Sequence, residues 1–457
     1  MARHARGAAL NQSSSSPSPS PTATSRSTEL GLLFIAWVVV TCFYVLMSLA
    51  TKGRLPARLG FFLAVLIVVS LVMHVAIRRY AARASQVLLP VATLLNGIGY
   101  VEIARWNPTR AGFQAFWFVV SGVIVVVTLK FIKSVRDLDR YRYLTLAAAL
   151  ALMLAPLIPG IGENINGARL WVAIGPLSFQ PIEVAKVLLV FFFASYFAAN
   201  RELLSTPTER FAGRLFVSPK VLVPILVAWG VALMILGGEN DIGFAMLLFV
   251  LFFALLWVTT GLKSYVALGL ALFVGGALVA DQLFRQVQAR VSYWLDPWSA
   301  VNYYHSSQLA NGWFAMAAGG VAGTGLGLGQ AGRNVSETTS DMIFAALGEE
   351  LGFVGVILIL SLFAVFVGEG FRIAQRAQSD FVRLTATGLT ATIGLQSFFI
   401  MAGVLRIVPF TGITLPFMAY GGSSLFANYF IVALLLRISH EVSEEKRGGE
   451  VVAVTFD

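Results

Sequence analysis

Residues 242–260 read IGFAMLLFVLFFALLWVTT, nineteen residues without a charged side chain. A helix of about 20 apolar residues is long enough to span the hydrocarbon core of a bilayer. Eleven similar runs occur, which gives twelve predicted membrane helices at about 29–50, 59–77, 86–104, 112–131, 143–161, 181–199, 219–238, 242–260, 264–282, 341–368, 383–405 and 415–437. Because the runs are continuously apolar and about twice as long as a barrel strand, the predicted fold is all-α and polytopic.

The composition agrees with a membrane protein. Of 457 residues, 57% are hydrophobic and 12% are charged, whereas a soluble domain carries about 25% charged residues. A water-soluble protein is therefore excluded. Cys42 is the single cysteine, which rules out an internal disulfide and a cysteine-based metal site, and the four histidines are too scattered to favour a zinc centre.

The net charge of +10 raises the question of nucleic acid. If the N-terminus is cytoplasmic, most of the 33 lysines and arginines fall in segments on the cytoplasmic side, as the positive-inside rule requires. Both termini are then predicted to be cytoplasmic. The charge follows from topology, so we expect anionic membrane lipids as partners and no nucleic acid.

The chain divides into regions of different character. Residues 1–28 are rich in Ser, Pro and Thr and predict a disordered cytoplasmic tail with no signal peptide. Residues 441–457 predict a second cytoplasmic tail. Residues 283–340 form a long extracytoplasmic loop, and long loops usually carry function. A shorter outer loop, 162–180, contains the sequence NGARLW.

Several ionisable groups lie at or inside predicted spans, where they are costly and default to functional candidates. Glu183 and Lys186, in QPIEVAK, share one helix face and are close enough to pair. A structural ion pair fits this pattern equally well. Asp241 and Asp341 stand at the outer ends of spans, although an acid in a first turn is often only a partner for the helix dipole. The role of Glu349 and Glu350 stays open.

Two further segments combine helix breakers with polar groups. In the long loop, WLDP at 294–297 is followed by a glycine-rich stretch at 319–327, which allows close approach to backbone or to a ligand. Residues 327–332 fit G-x-G-x-x-G, but no strand precedes them, so dinucleotide binding is not expected. Residues 409–424, with the hydroxyl of Ser423, place irregular backbone at the head of the last span, which is tolerated where it lines a cavity.

Together these groups suit a lipid-linked anionic substrate at the outer membrane face. Arg169 and Lys186 are candidates to bind a diphosphate, because both kinds of cation bind phosphate oxygens. An outward-facing carboxylate is a candidate general base. Charged groups within spans also mark translocation paths, which leaves a flippase for a lipid-linked precursor as an alternative.

The motifs occur in one order along the chain. They are NGARLW, QPxExxK, DxG, WLDP, the glycine-rich stretch, SExxSDxIF, GEELG and TGITLPFxxYGGSS. This order resembles the SEDS family (RodA, FtsW, SpoVE) over residues 86–440. The family fold has ten spans, so residues 29–85 form two extra N-terminal spans. Those spans and the ending at 427–440 look like the actinobacterial RodA branch.

The resemblance implies a peptidoglycan glycosyltransferase of the bacterial cytoplasmic membrane. Such an enzyme polymerises lipid II into glycan strands on the outer face, for elongation or division, beside a class B penicillin-binding protein. On this resemblance five residues match the family's site positions: Arg169, Glu183, Lys186, Asp241 and Asp341. We add Ser423 as a substrate-binding hydroxyl. No cofactor is certain, and whether a divalent cation assists is left open.

One departure concerns the catalytic acid. The family's essential aspartate lies four residues after the first acid or asparagine of the [D/N]-P motif, and counting four from Asp296 gives Ala300. Asp296 is then the candidate catalytic base, with His305 as a weaker candidate. A catalytically weakened relative that acts as a scaffold for its penicillin-binding partner is the alternative.

Overall fold

The computed structural model describes residues 26–165, 168–175, 177–206, 209–211, 214–216, 219–299 and 303–454. These residues form a helical bundle with two small antiparallel sheets. The helices are α1 Ser27–Lys52, α2 Leu59–Tyr80, α3 Leu88–Trp106, α4 Pro108–Phe131, α5 Arg142–Leu154, α6 Ile182–Ala199, α7 Arg201–Ser205, α8 Pro219–Glu239, α9 Ile242–Thr260, α10 Lys263–Leu283, α11 Arg285–Leu295, α12 Tyr303–Gly319, α13 Ala331–Asn334, α14 Ile343–Arg376, α15 Asp380–Val404 and α16 Gly422–Val454. The strands are β1 Gly162–Ile165, β2 Ala168–Ile174, β3 Leu177–Phe179, β4 Glu209–Phe211 and β5 Arg214–Phe216.

Within the described residues, ten helices are long and apolar enough to cross a membrane: α1, α2, α4, α6, α8, α9, α10, α14, α15 and α16. The all-α, multi-pass fold is confirmed, and the count of twelve spans stays a prediction. Two of the twelve predicted spans correspond to helices outside these ten, α3 and α5. In α3 the polar groups of Asn96, Glu102 and Arg105 lower the mean hydropathy. The predicted helix at 143–161 is shorter in the structure, because α5 ends at Leu154 and only a single 3-10 turn follows, at Pro156.

The bundle has a buried centre and a lipid-facing rim. Helices α15 and α16 are the central elements, since most of their apolar residues are buried among α4, α6 and α14. Helix α10 lies at the edge and exposes Leu270, Leu278 and Val279. An apolar side chain that stays exposed along a membrane helix faces lipid, so α10 has a lipid-facing surface.

Both predicted outer loops contain secondary structure. The first loop contains the strands of the meander β1-β2-β3, in which Gly162 pairs with Val172 and Val172 pairs with Phe179. Residues 283–340 contain the helices α11, α12 and α13. These elements cover the helix ends at one end of the bundle.

The glycine-rich stretch packs against a kink in α14. The kink lies at Gly352, whose φ is 65°. The amide of Thr324 donates to the carbonyl of Glu349 at 2.9 Å, and the amide of Phe353 donates to the carbonyl of Gly320 at 2.9 Å. The glycines therefore let backbone approach backbone, one of the two uses predicted for them.

The same packing gives Glu349 and Glu350 a role that the sequence left open. The Glu349 carboxylate accepts from the amides of Gln330 at 2.9 Å and Ala331 at 2.7 Å. The Glu350 carboxylate accepts from the amide of Gly327 at 2.9 Å and pairs with Arg105. Glu350 holds the end of the glycine-rich stretch on α14, and Glu349 holds the residues that follow it.

The predicted tail at 1–28 is partly ordered. Residues 1–25 lie outside the described part of the chain. Arg26 is buried and donates to four backbone carbonyls in the connection between α2 and α3, among them that of Ala84 at 2.9 Å. It also pairs with Glu29, whose other oxygen lies 2.6 Å from Nδ1 of His74. Helix α16 runs on through the predicted C-terminal tail to Val454.

Candidate active site

A cavity of about 410 Å³ lies where the meander meets helix α11, the first turns of α4, α9 and α16, and the segment just before α14. We name it the Asp341 cavity. Its polar lining includes Arg110, Gln180, Asp241, Arg290, Glu337, Asp341, Thr414 and Ser423. Motifs separated by more than 240 residues in sequence therefore meet at one end of the bundle.

Asp241 occupies the start of α9. Its Oδ1 accepts from the amide of Phe244 at 2.9 Å, which caps the helix, and its Oδ2 is buried with no hydrogen-bond partner among the described residues. Burial raises the pKa of Asp241 to about 6, and the positive charge of Arg290 opposes that rise. One oxygen is structural and the other is available to a ligand.

Asp341 lies just before α14 and faces the same cavity. Burial and the nearby Glu337 raise the pKa of Asp341 to about 7, against the opposing charges of Arg290 and Arg110. A carboxyl with a pKa near neutrality can both accept and release a proton at physiological pH. A role as partner for the helix dipole, the alternative raised by the sequence, does not by itself explain why Asp341 lines the cavity.

Arg290 of α11 was not among the predicted site residues. Its Nη1 donates to the carbonyl of Thr411 at 2.7 Å, and its charge acts on both Asp241 and Asp341. A Cβ on Gly412 would lie 3.7 Å from Asp341 Oδ2 and 3.9 Å from Arg290 Nη2, so these two groups flank one point. The spacing of Gln286 and Arg290, four apart on one helix face, was the available signal.

Arg110 is the second cation that the sequence analysis missed. Its Nη1 donates to Thr339 Oγ1 at 2.7 Å and to Glu337 Oε2 at 3.1 Å. The guanidinium lies 5.3 Å from the ring centroid of Tyr420. Arg110 belongs to no recognisable sequence motif, because its hydrogen-bond partners lie more than 200 positions away along the chain.

Glu183 and Lys186 form the predicted ion pair, beneath the cavity. Both side chains are buried, and Lys186 Nζ donates to the Glu183 carboxylate and to Gln396 Oε1, the latter at 2.7 Å. Thr414 Oγ1, which belongs to the lining, donates to Glu183 at 3.4 Å. The pair therefore supports the cavity floor through Thr414. Ser423 lines the cavity directly and accepts from the amide of Gln180 at 2.8 Å.

Besides Glu183 and Lys186, which lie beneath the cavity, two predicted residues do not line it. Arg169 is exposed and is not part of the lining, although its neighbours Ala168, Leu170 and Trp171 in β2 are. Asp296 is exposed at the C-terminal end of α11, about 9 Å along the helix axis from Arg290. Ala300 lies outside the described residues, and so does the side chain of His305.

The family model described as "Cell cycle protein", named for FtsW, RodA and SpoVE, matches residues 102–444. That is about three quarters of the chain. The chain belongs to the FtsW/RodA/SpoVE family. The match begins inside α3 and leaves α1 and α2 outside, so this family member has two helices before the matched region.

Curated relatives agree with this assignment. The chain is 38% identical over 381 residues to "Peptidoglycan glycosyltransferase RodA" of Mycobacterium tuberculosis, covering 80% of each sequence. It is 34% identical over 295 residues to "Probable peptidoglycan glycosyltransferase FtsW" of Legionella pneumophila, covering 64% of this chain and 72% of the relative. The predicted resemblance to actinobacterial RodA is confirmed.

The fold is also similar to that of a solved family structure. A chain from "Structural coordination of polymerization and crosslinking by a peptidoglycan synthase complex" aligns with a TM-score of 0.63 at 23% identity, covering 79% of this chain and 98% of that chain. At this identity the likeness concerns the fold of this SEDS protein alone.

Proposed function

We propose that the chain is a peptidoglycan glycosyltransferase that polymerises lipid II into glycan strands. The observation that carries the proposal is the Asp341 cavity, in which Arg110 and Arg290 lie beside the carboxyls of Asp241 and Asp341. Arginines bind phosphate oxygens, and buried carboxyls take part in proton transfer. Family membership and the names of the relatives support this chemistry.

In this proposal the cations hold the diphosphate of lipid II. The hydroxyl of the acceptor sugar attacks the anomeric carbon of the donor and gives its proton to a carboxylate base. The bond from that carbon to the diphosphate oxygen breaks, and undecaprenyl diphosphate leaves with the electron pair. Arg290 and Arg110 stabilise the developing negative charge on the leaving group. Glu183, Lys186 and Ser423 position the cavity floor.

Asp296 remains our proposed catalytic base. Since it lies beyond the described cavity, the reacting sugars must extend from the diphosphate site toward the C-terminal end of α11. Arg169, an exposed residue of β2, is then proposed to contact parts of lipid II outside the cavity. Asp341 is the competing base, because it lies inside the cavity and has a pKa near 7.

The membrane orientation follows from charge. Lys130 and Lys133 lie at the end of α4, and Arg110 of the Asp341 cavity lies at its start. Basic residues concentrate on the cytoplasmic side of bacterial membrane proteins. We therefore propose that the cavity opens on the extracytoplasmic side of the cytoplasmic membrane, with both termini in the cytoplasm.

A class B penicillin-binding protein is the proposed partner, and it would cross-link the strands that this chain makes. The similarly folded chain comes from a structure titled as a peptidoglycan synthase complex, which supports an assembly of this kind. The sequence leaves elongation and division as alternative roles.

The test is polymerisation of lipid II by the purified full-length protein with a class B penicillin-binding protein. We expect glycan strands from the wild type and none from Asp296→Ala, with Asp281→Ala as a control in the preceding helix. Loss of activity in Asp341→Asn combined with full activity in Asp296→Ala would move the base to Asp341. An inactive wild type, beside an active family member, would contradict the proposal.

A non-catalytic scaffold is the second candidate, favoured by Ala300 at the position of the family's aspartate. Ala300→Asp separates the two functions. Activity gained only in that variant would identify a chain that has lost its base. Unchanged high activity would show that another residue serves. A flippase stays the third candidate, and transport of a fluorescent lipid II analogue without polymerisation would identify it.

A divalent cation remains a proposal. Among the described residues, no group of three or more His, Cys, Asp and Glu side chains is arranged to hold a metal ion. A cation at Asp241 and Asp341 would therefore complete its shell with substrate phosphate oxygens. We expect calorimetry to detect weak Mg²⁺ binding to the substrate-free protein. In the presence of lipid II we expect the affinity for Mg²⁺ to be higher.

A further inference from the structure

A second cavity, of about 540 Å³, lies beside the same helix α4. We name it the Arg58 cavity. Pro108, Ala111 and Gly112 of α4 line it, whereas Arg110 lines the Asp341 cavity on another face. Its remaining walls come from α1, α2, the connection between them, the end of α3 and residues 327–333. Both cavities therefore lie at the same end of the bundle.

The Arg58 cavity is cationic. Lys52, Arg58, Arg105 and Arg333 line it, and none of its lining residues is acidic. Arg105 is paired with Glu350, whereas the ion pairs found in the described part of the chain include none of the other three cations. Cations gathered around a concave surface repel one another and attract an anion.

Hydroxyl groups and apolar surface complete the site. Tyr44 and Tyr100 line the cavity with ring centroids 6.4 Å apart, and the charge of Arg58 acts on both tyrosines. Phe61 and Leu328 also belong to the lining and are 63% and 58% exposed. A ligand that matches this surface is negatively charged at one end and apolar at the other.

The position along the helices matches a membrane surface. Lys52 ends α1, Arg58 directly precedes α2, and both helices are apolar enough to cross a membrane. Basic side chains at the ends of membrane helices lie at the depth of the lipid phosphates. The wall formed by α1 and α2 also lies outside residues 102–444, the part that the family model matches.

We propose that the Arg58 cavity binds the phosphate headgroup of an anionic membrane lipid. Lys52, Arg58 and Arg333 contact the phosphate oxygens, the tyrosine hydroxyls donate hydrogen bonds, and the acyl chains lie against Phe61 and the exposed apolar side chains of α2. The site is separate from the Asp341 cavity and does not depend on the proposed reaction.

Native mass spectrometry of the full-length protein with phosphatidylglycerol tests the site. The variant Lys52→Gln, Arg58→Gln, Arg333→Gln removes three cations from the cavity. The control Lys130→Gln, Lys133→Gln, Arg140→Gln removes three exposed cations elsewhere. We expect the dissociation constant for phosphatidylglycerol to rise about tenfold or more in the first variant only. Equal binding by wild type and both variants would overturn the proposal.

A second variant tests the cavity without a change of charge. A Cβ on Gly112 would meet no atom within 4 Å, so Gly112→Phe places a ring in the open cavity. Gly230→Phe in α8 is its control, because a Cβ at that glycine also meets no atom within 4 Å. We expect reduced lipid binding from Gly112→Phe alone, and this result decides the matter if the triple variant does not fold.

Two further probes identify the source of the phosphate. Phosphatidylcholine has the same phosphate group without net charge, and inorganic phosphate lacks the acyl chains. We expect weaker binding of both to the wild type. Cavity-dependent binding of phosphatidylcholine at the same strength would overturn the anionic selectivity. Displacement of the lipid by inorganic phosphate at equal concentration would assign the site to free phosphate and overturn the lipid assignment.

Discussion

At the residue scale, Asp341 shows how surroundings set proton affinity. Its half-buried carboxyl lies beside Glu337 and Arg290, and the balance of partial burial and these charges raises its pKa to about 7. The group is therefore mostly neutral below pH 6 and mostly ionised above pH 8. A reaction that needs the Asp341 carboxylate must become faster as the pH rises through this range.

We predict a shift of that pH dependence in Glu337→Gln. The substitution removes a negative charge that raises the pKa of Asp341, so its carboxylate forms at lower pH. If Asp341 rather than Asp296 is the base, the rise in polymerisation rate moves to lower pH as well. Rates of lipid II polymerisation between pH 5.5 and 8.5 measure the shift. Asp341→Asn serves as the control, in which the rise is absent. A rise that moves to higher pH in Glu337→Gln would refute the assignment.

The sequence could predict site residues whose partners are local. Glu183 and Lys186 are three positions apart on a helix, so their pairing followed from spacing. Arg290 binds the carbonyl of Thr411, 121 positions further along the chain, and no local pattern announces such a contact. Arg169 was a candidate on its motif, but its side chain is exposed and does not line the cavity.

At the element scale, long apolar runs identified the helices well, because a bilayer requires about 20 apolar residues to span it as a helix. Shorter elements escaped that pattern. The meander from β1 to β3 and helix α11 lie in segments predicted as loops, and they depend on tertiary contacts rather than on a hydrophobic period. Helix α5 was overestimated because apolar residues continue past Pro156, where the helix has already ended.

The contact between the glycine-rich stretch and α14 gives a prediction for stability. Gly323 has a φ of 86°, and a Cβ there would lie 2.1 Å from the carbonyl oxygen of Glu350. Gly323→Ala therefore forces the backbones apart, and we expect a loss of about 2 kcal/mol or more in the free energy of unfolding. Thermal unfolding in detergent, followed by tryptophan fluorescence, measures the loss.

Gly368→Ala is the matched control for that experiment. Gly368 lies in α14, the helix on which the stretch with Gly323 packs, and a Cβ on Gly368 meets no atom within 4 Å. We expect an unfolding temperature close to that of the wild type. Equal unfolding temperatures for Gly323→Ala and Gly368→Ala would show that the close backbone approach does not stabilise the protein.

At the scale of the whole molecule, two helices precede the region matched by the family model, and particular contacts attach them. Helix α1 packs on α3, and α2 packs on α4. Arg26 adds a polar connection at one end, because its guanidinium donates to carbonyls in the segment that joins α2 to α3. Arg26 belongs to a stretch that was predicted to be disordered from its composition. One arginine barely changes the composition of such a stretch, so composition could not reveal that Arg26 is buried and bonded.

Arg26 therefore controls how firmly the two helices are attached. Arg26→Ala leaves the buried Glu29 without its arginine partner and leaves several carbonyls without a donor. Breaking a buried ion pair by removing one member costs about 3 kcal/mol or more, so we expect a clearly lower unfolding temperature. Arg54→Ala, at an exposed position between α1 and α2, is the control. If both variants unfold at the wild-type temperature, hydrophobic packing of α1 and α2 alone attaches these helices to the bundle.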